Sequence, residues 1–270
     1  MKQTSKELTK QEEFVREHKR HHHQITSYRF LLFFFFLVIW EVSADLGWID
    51  SFFFSSPSRV VGCFIDLCKD HSIFIHVGIT LWETVLSFLL VFLVSLVAAT
   101  MLWYSTKLSE VLEPYLVILN SLPKSALAPL FIVWLGTGTT TIIVAGISVA
   151  VFGSIISFYT GFKEVDQEKI TLIYTLGGKK KDAFSKVVLP GSIPILLSTT
   201  KVNIGLALVG VIIGEFLAAR RGLGYLIIYG SQVFQLNLVI TSIILLCIIA
   251  FCFYKGIQYV EHRIKVTLKM

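Results

Sequence analysis

Long apolar runs leave this chain few ways to fold. Six segments, at about 28–46, 80–103, 114–135, 139–160, 195–218 and 238–259, each approach or exceed the roughly 20 apolar residues that a helix needs to cross a bilayer core. Lipid satisfies no backbone hydrogen bonds, so a spanning segment must be a helix or belong to a closed barrel. Barrel strands alternate over about ten residues, whereas these runs are longer and continuous. The expected class is an all-α membrane protein with six transmembrane helices. Composition agrees: 16% of the 270 residues are charged, against about 25% in soluble domains.

The first segment could imitate a secretory signal, with Val42-Ser43-Ala44 as a small-residue cleavage site. About 29 mostly polar residues precede it, however, and Trp40-Glu41 interrupts its end. An uncleaved first helix is expected. Charge then sets orientation. With the N-terminus inside, cytoplasmic pieces hold 18 of the 24 Lys and Arg and outer pieces hold 4: Arg59, Lys69, Arg220 and Arg221. Excess Lys and Arg marks cytoplasmic loops, so both termini are expected in the cytoplasm and the chain in the plasma membrane. A basic chain can also signal nucleic-acid binding. Here the cations flank the spans, and topology accounts for them without a nucleic-acid partner.

The pieces between spans carry further signals. Residues 1–29 read as a polar, cationic cytoplasmic arm, in which His18 and His21 to His23 are better explained by solvation than by a metal. Residues 30–79 are expected to hold the first span and an outer segment that lies at the membrane interface. There Pro57 starts a helix whose stripe is Val60, Val61, Phe64, Ile65 and Leu67. The cysteines Cys63, Cys68, Cys247 and Cys252 make no metal pattern; Cys63 and Cys68 could pair, but small buried thiols are the simpler reading. Gly136-Thr137-Gly138 reads as a tight turn, and Arg220 opens a longer outer piece running to about Asn237. The third span, EPYLVILNSLPKSALAPLFIVWLGTG, contains Pro123 and Pro129, with Asn120, Ser121 and Lys124 at the first break. Each proline removes a helical hydrogen bond, and broken helices at membrane depth line cavities or are buried by protein. A simple kink against a neighbouring helix is the alternative.

The cytoplasmic loop 161–194 has more structure than a connector requires. Val165 to Leu176 predicts a short helix, Gly177-Gly178 a positive-φ ending, and Lys179 to Asp182 the start of a second helix. Leu189-Pro190 and Pro194 are expected to stop it and re-enter the membrane. Such a piece suits docking into a groove by its apolar face, while the lysines also suit lipid headgroups.

VDQEKITLIYTLGGKKKDAFSKVVLPGSIP resembles the coupling loop of permease subunits of binding-protein-dependent ABC importers. That family carries an EAA triplet, three residues, a glycine, nine more residues, then I-x-L-P; here Gly177 is followed by nine residues and then Val187, Val188, Leu189 and Pro190. FFFSSPSRV, SLPKSALAPLFIVWLGTG and GEFLAARRGLGYLI resemble the nitrate/sulfonate/taurine branch, in consistent order over about residues 40–260. The triplet falls on Thr171-Leu172-Ile173, so its glutamate is absent. The resemblance implies a six-helix type I (MetI-like) permease fold, its ABC transmembrane type-1 domain covering residues 80–260 with the coupling loop, and a cytoplasmic tail at 261–270. It implies a homodimer that works with cytoplasmic ABC ATPase subunits and an extracytoplasmic substrate-binding protein.

By that resemblance the ATPase-coupling residues are Asp166, Glu168, Thr171, Gly177, Gly178, Lys179, Leu189 and Pro190. The expected path residues, facing the dimer interior, are Asn120, Ser121, Pro123, Lys124, Pro129 and Glu215; alternatively Lys124 snorkels and Glu215 pairs with Arg220 or Arg221. The chain is not expected to be an enzyme or to bind a metal or cofactor itself. No G-x-x-x-x-G-K-[ST] phosphate loop occurs, so ATP and Mg would sit on the partner ATPase. The expected substrate is a small anion such as nitrate, an aliphatic sulfonate or taurine, or else a thiamine-precursor pyrimidine. A secondary transporter or channel would need intramembrane ionisable groups, and Glu83, Lys124, Lys201 and Glu215 lie nearer span ends. A membrane enzyme would need a nucleophile–base or metal constellation, which the scattered histidines do not supply.

Overall fold

A computed structural model of the chain describes residues 10–267. Within them, the chain divides between Gly62 and Cys63 into two compact units. In the first unit, α1 (Lys10–Asp45) is one helix, followed by a single turn, α2 (Ser51–Phe54). The polar arm is therefore helical from Lys10 and continuous with the first span, whose apolar part is Gln24–Asp45. This corrects the expectation of a separate arm. With no helix breaker between Lys10 and the apolar run, the span nucleates helix into its polar flank. The side chains of His22 and His23 lie outside the described residues. Pro57 does begin a helix, α3 (Pro57–Lys69), as proline tends to at a first turn.

The second unit holds α4 (Ser72–Tyr104), α5 (Thr106–Ser121), α6 (Lys124–Leu135), α7 (Thr139–Lys163), α8 (Gln167–Thr175), α9 (Lys180–Ala183), α10 (Leu189–Ala218), α11 (Leu223–Gln232) and α12 (Leu236–Thr267). Among the described residues five helices are long and apolar enough to span, and α5 with α6 supplies a sixth if that bent pair crosses. The pair bends by 96° between Ser121 and Lys124, far beyond a simple proline kink. Pro123 has no N–H to continue α5 and pushes Leu122 to an extended ψ of 139°.

Helix α7 lies between α4 and α10. Lipid tails are as apolar as leucine, so helices associate through close packing and polar contacts rather than greasy faces. The buried stripe of α4 accordingly includes Thr80, Glu83, Thr84, Ser87 and Ser95. Ser87 and Ser95 donate across to the Ile143 and Val151 carbonyls of α7 at 3.4 and 3.3 Å. On α10, Gly210 and Gly214 allow backbone contact with α7. A Cβ at Gly210 would sit 2.7 Å from Gly146 Cα, and one at Gly214 would sit 2.8 Å from Ile142 Cα. All four cysteines are free thiols.

The loop departs from expectation at its second half. The chain does not stop at Leu189-Pro190. Helix runs from Lys180 to Ala218 through one π-helical turn, Phe184–Val188. Pro190 cannot donate to the carbonyl four residues back and would clash with it. Widening the preceding turn, so that Leu189 N–H reaches Phe184 O, accommodates the ring without ending the helix.

Candidate functional site

Two polar constructions stand at opposite ends of the bundle. The first is the α8–α9 hairpin, at the end where α4 finishes and α10 begins. Asp166 caps α8 by accepting from Glu168 N–H at 2.9 Å, which places acidic charge at a helix start where the dipole favours it. Thr171 turns its hydroxyl back to the Gln167 carbonyl at 2.9 Å. The helix ends through Gly177, at φ 83°, a region that disfavours side chains. Gly178 N–H then reaches Ile173 O at 2.9 Å. Gly178 is needed for room, since a Cβ there would lie 2.8 Å from the Ile173 carbonyl oxygen. Asp182 caps the next helix by accepting from Lys179 N–H at 2.8 Å.

The hairpin is fixed to the bundle. Ile170, Ala183 and Val188 are buried with Phe158, Phe162 and Ala99. The Phe184 ring meets Trp103, Tyr104 and Phe162 at centroid distances of 5.2, 5.5 and 5.4 Å. Lys180 is held against the end of α4. Its Nζ donates to the Tyr104 carbonyl at 2.9 Å, capping the end of α4, and lies 5.3 Å from the Trp103 ring centroid. The apolar residues around α8 are thus divided between two faces. Val165, Ile170 and Ile173 pack inward, while Leu172 and Leu176, four apart, are 57% and 75% exposed.

At the α5–α6 break, Lys124 Nζ reaches the carbonyls of Leu119 and Asn120, the latter at 3.0 Å, and so satisfies the end of α5. It also lies 5.6 Å from the Phe152 ring centroid. Asn120 sits against α7, where a Cβ at Gly153 would be 3.1 Å from its Oδ1. Ser121 bonds back to Val117 O at 2.9 Å and is exposed, as are Pro123 and Pro129. Asn120, Lys124 and the break therefore belong together.

Glu215 does not join them. Its neighbour Gly214 meets α7 at Ile142, eleven residues, or about 16 Å, along that helix from Gly153. It is 1% exposed within its own chain, which overturns its expected place facing a second copy. Its partners are not the arginines either. Thr80 donates to Oε1 at 2.7 Å, and Gly224 N–H donates to Oε2 at 2.6 Å. Thr80 Oγ1 also accepts from Leu223 N–H at 2.9 Å, and His76 Nδ1 accepts from Gly222 N–H at 3.0 Å. Three consecutive N–H groups at the start of α11 are thus capped by side chains of α4 and α10. Gly222 permits this because a Cβ there would overlap the Glu215 carboxyl. His76, Thr80 and Glu83 are sequence-spaced at helical intervals of four and three, a signal that could have identified the cluster. Glu83, also 1% exposed, lies beside it. Lys201 is paired with Glu261, which also meets Lys265 at 2.8 Å. Among the described residues no three His, Cys, Asp or Glu form a metal site.

Known proteins are similar to this chain in sequence and in fold. A family model described as "Binding-protein-dependent transport system inner membrane component" matches residues 91–266. A Haemophilus influenzae protein named "Probable ABC transporter permease protein" is 31% identical over 227 residues, covering 84% of this chain and 92% of its own. The taurine transport system permease protein TauC of Escherichia coli is 25% identical, covering 84% and 85%. The formylaminopyrimidine transport permease protein ThiX of Halalkalibacterium halodurans is 28% identical, covering 70% and 75%. A chain of the inward-facing MetNI methionine ABC transporter superposes with a TM-score of 0.61 at 20% identity, covering 69% of this chain and 93% of that one, a likeness of fold. The chain therefore belongs to the inner membrane components of binding-protein-dependent transport systems, as a multi-pass permease subunit of an ABC importer.

Proposed function

We propose that two copies of this chain form the translocation path for a small anionic solute, and that the α8–α9 hairpin couples it to a separate cytoplasmic ATPase. The observation that carries the reading is the exposed ridge of Leu172 and Leu176 on a hairpin whose other face is locked to α4 and α7. A rigid, apolar, unburied ridge suits insertion into a partner's groove. Thr171, where the family pattern has glutamate, spends its hydroxyl on its own helix, so docking would rest on shape and the leucines rather than on a carboxylate. ATP with its magnesium would bind the partner, and an extracytoplasmic protein would deliver the solute at the other end of the bundle. The 18-to-4 cation bias supports the hairpin and both termini being cytoplasmic. Similarity to TauC supports a sulfonate or taurine; similarity to ThiX favours a pyrimidine as the second reading.

The test is recovery of the co-expressed ATPase with membrane-extracted permease. Gly177→Val, which forces a branched side chain to positive φ, and Leu176→Glu should each insert normally yet recover less than about a tenth of the ATPase, a loss near 1.4 kcal/mol or more. Recovery equal to wild type, with equal ATP-driven uptake, would remove the hairpin from this role. Competition of uptake by taurine against formylaminopyrimidine separates the two substrate readings.

A further inference from the structure

Beside the α11 cap the structure contains a cavity of about 430 Å³, within the roughly 300–1,000 Å³ typical of small-molecule sites. Its wall combines Glu83 of α4, Gly138 and Thr139 at the start of α7, and Arg220 and Arg221 after α10. The two carboxyls near it are differently supplied. Glu215 receives donors on both oxygens, from Thr80 and Gly224. Glu83 is equally buried and lies against the Glu215 carboxyl and Thr139, but its Oε2 has no hydrogen-bond partner among the described residues. An unpartnered buried carboxyl oxygen needs a donor or a cation. Arg220 and Arg221, both exposed residues, line the same cavity, as does the first turn of α7, which Gly138 leaves without a side-chain cap. Those groups favour an anion.

A purely anionic solute would satisfy the arginines and confront Glu83. A purely cationic one would do the reverse. We propose that this cavity binds a small zwitterion, its ammonium group on Glu83 and its anionic head on Arg220, Arg221 and the start of α7. The proposal rests on the importer reading only for its purpose: it makes the permease, and not its delivery protein alone, a selector of the solute. The contacts at Glu83 come from the inner wall and those at the arginines from the rim, so a molecule must carry both charges to engage the full site.

The test is ligand binding to the purified full chain in detergent, read by isothermal titration or saturation-transfer NMR, with 2-aminoethanesulfonate, ethanesulfonate and ethylamine as probes. Wild type should bind the aminosulfonate at least about tenfold more tightly than either half-molecule, the size of one charge-assisted hydrogen bond. Glu83→Gln should erase that advantage while ethanesulfonate still binds. The double substitution Arg220→Gln, Arg221→Gln should weaken both sulfonates about tenfold or more. Glu83→Asp keeps the charge and should retain preference for the amine, giving a second reading if Glu83→Gln does not fold by gel filtration and circular dichroism. Equal affinity for the aminosulfonate and ethanesulfonate in wild type would overturn the zwitterion assignment. Absence of saturable binding to all three would overturn the site. Neither result touches ATPase recovery, so failure here is distinct from failure of the coupling hairpin.

Discussion

Thr80 shows how much of this bundle depends on single polar atoms. Its hydroxyl donates to Glu215 and accepts from Leu223 N–H, so it ties α4 to both α10 and α11. Thr80→Val keeps the shape and removes both bonds, leaving a buried N–H and a carboxylate oxygen each short of a partner. Unsatisfied buried groups cost about 1–3 kcal/mol each, although cycles within membrane proteins average nearer 0.6 kcal/mol per bond. Thr80→Val should therefore melt several degrees lower than wild type in a detergent thermal-unfolding assay. Thr100→Val, which loses only a bond to its own helix at Leu96 O, should change little. Equal melting of the two variants would show that the cap of α11 contributes nothing to stability. The same scale explains why Glu215 was misread from sequence. A glutamate near a span end beside two arginines suggests an ion pair or a water-filled path. The alternative, one donor from the Thr80 hydroxyl and one from the Gly224 backbone of a helix that folds back onto it, has no local signature.

At the level of elements, the small residues of α10 set its contact with α7. Gly210 has no room for a Cβ, because Gly146 Cα and the Ala145 carbonyl oxygen would lie within 2.8 Å of it. Gly210→Val must separate the two helices or deform one, and overpacking of this kind costs about 1–3 kcal/mol. Gly205, on the same helix, has nothing within 4 Å of a built Cβ. Gly205→Val should be accepted with near-normal yield, whereas Gly210→Val should lose most monodisperse protein in size-exclusion chromatography after extraction. Comparable profiles would deny α7 and α10 their close approach. The hairpin teaches a related point. Its turn was legible because Gly177-Gly178 has one plausible job after a short amphipathic helix. The continuity of α9 through the π turn into α10 was not, since a Leu-Pro pair ordinarily suggests a boundary and only neighbouring structure decides whether a turn widens instead.

For the molecule as a whole, orientation is the property on which the coupling and cavity readings both depend. Lys180 caps α4 at one end of the bundle, and Arg220 lines the cavity at the other. In intact cells a membrane-impermeant thiol reagent should label Arg220→Cys and spare Lys181→Cys, an exposed neighbour in the hairpin. These measurements belong in a background with the four native thiols replaced by alanine or serine. Labelling of Lys181→Cys from outside would invert the bundle and separate the hairpin from any cytoplasmic ATPase.

Sequence alone determined the class of fold, the approximate spans and the family. Bilayer thickness makes length and hydropathy nearly sufficient for the first two, and ordered local patches such as the Gly177 to Pro190 spacing mark the third. It located the break at Pro123 because proline acts on its own backbone. Tertiary structure decided the 96° bend, the division of α8 into a buried face and an exposed ridge, the continuation of α10 past Pro190, and the company Glu215 keeps. Each of these depends on what a distant segment brings: an aromatic pocket from α4 and α7, a wider turn, or backbone donors from α11. In a chain where nearly every helix face is apolar, hydropathy cannot say which face is inside. Small and polar residues on adjacent helices decide that, and they find one another only when the helices meet.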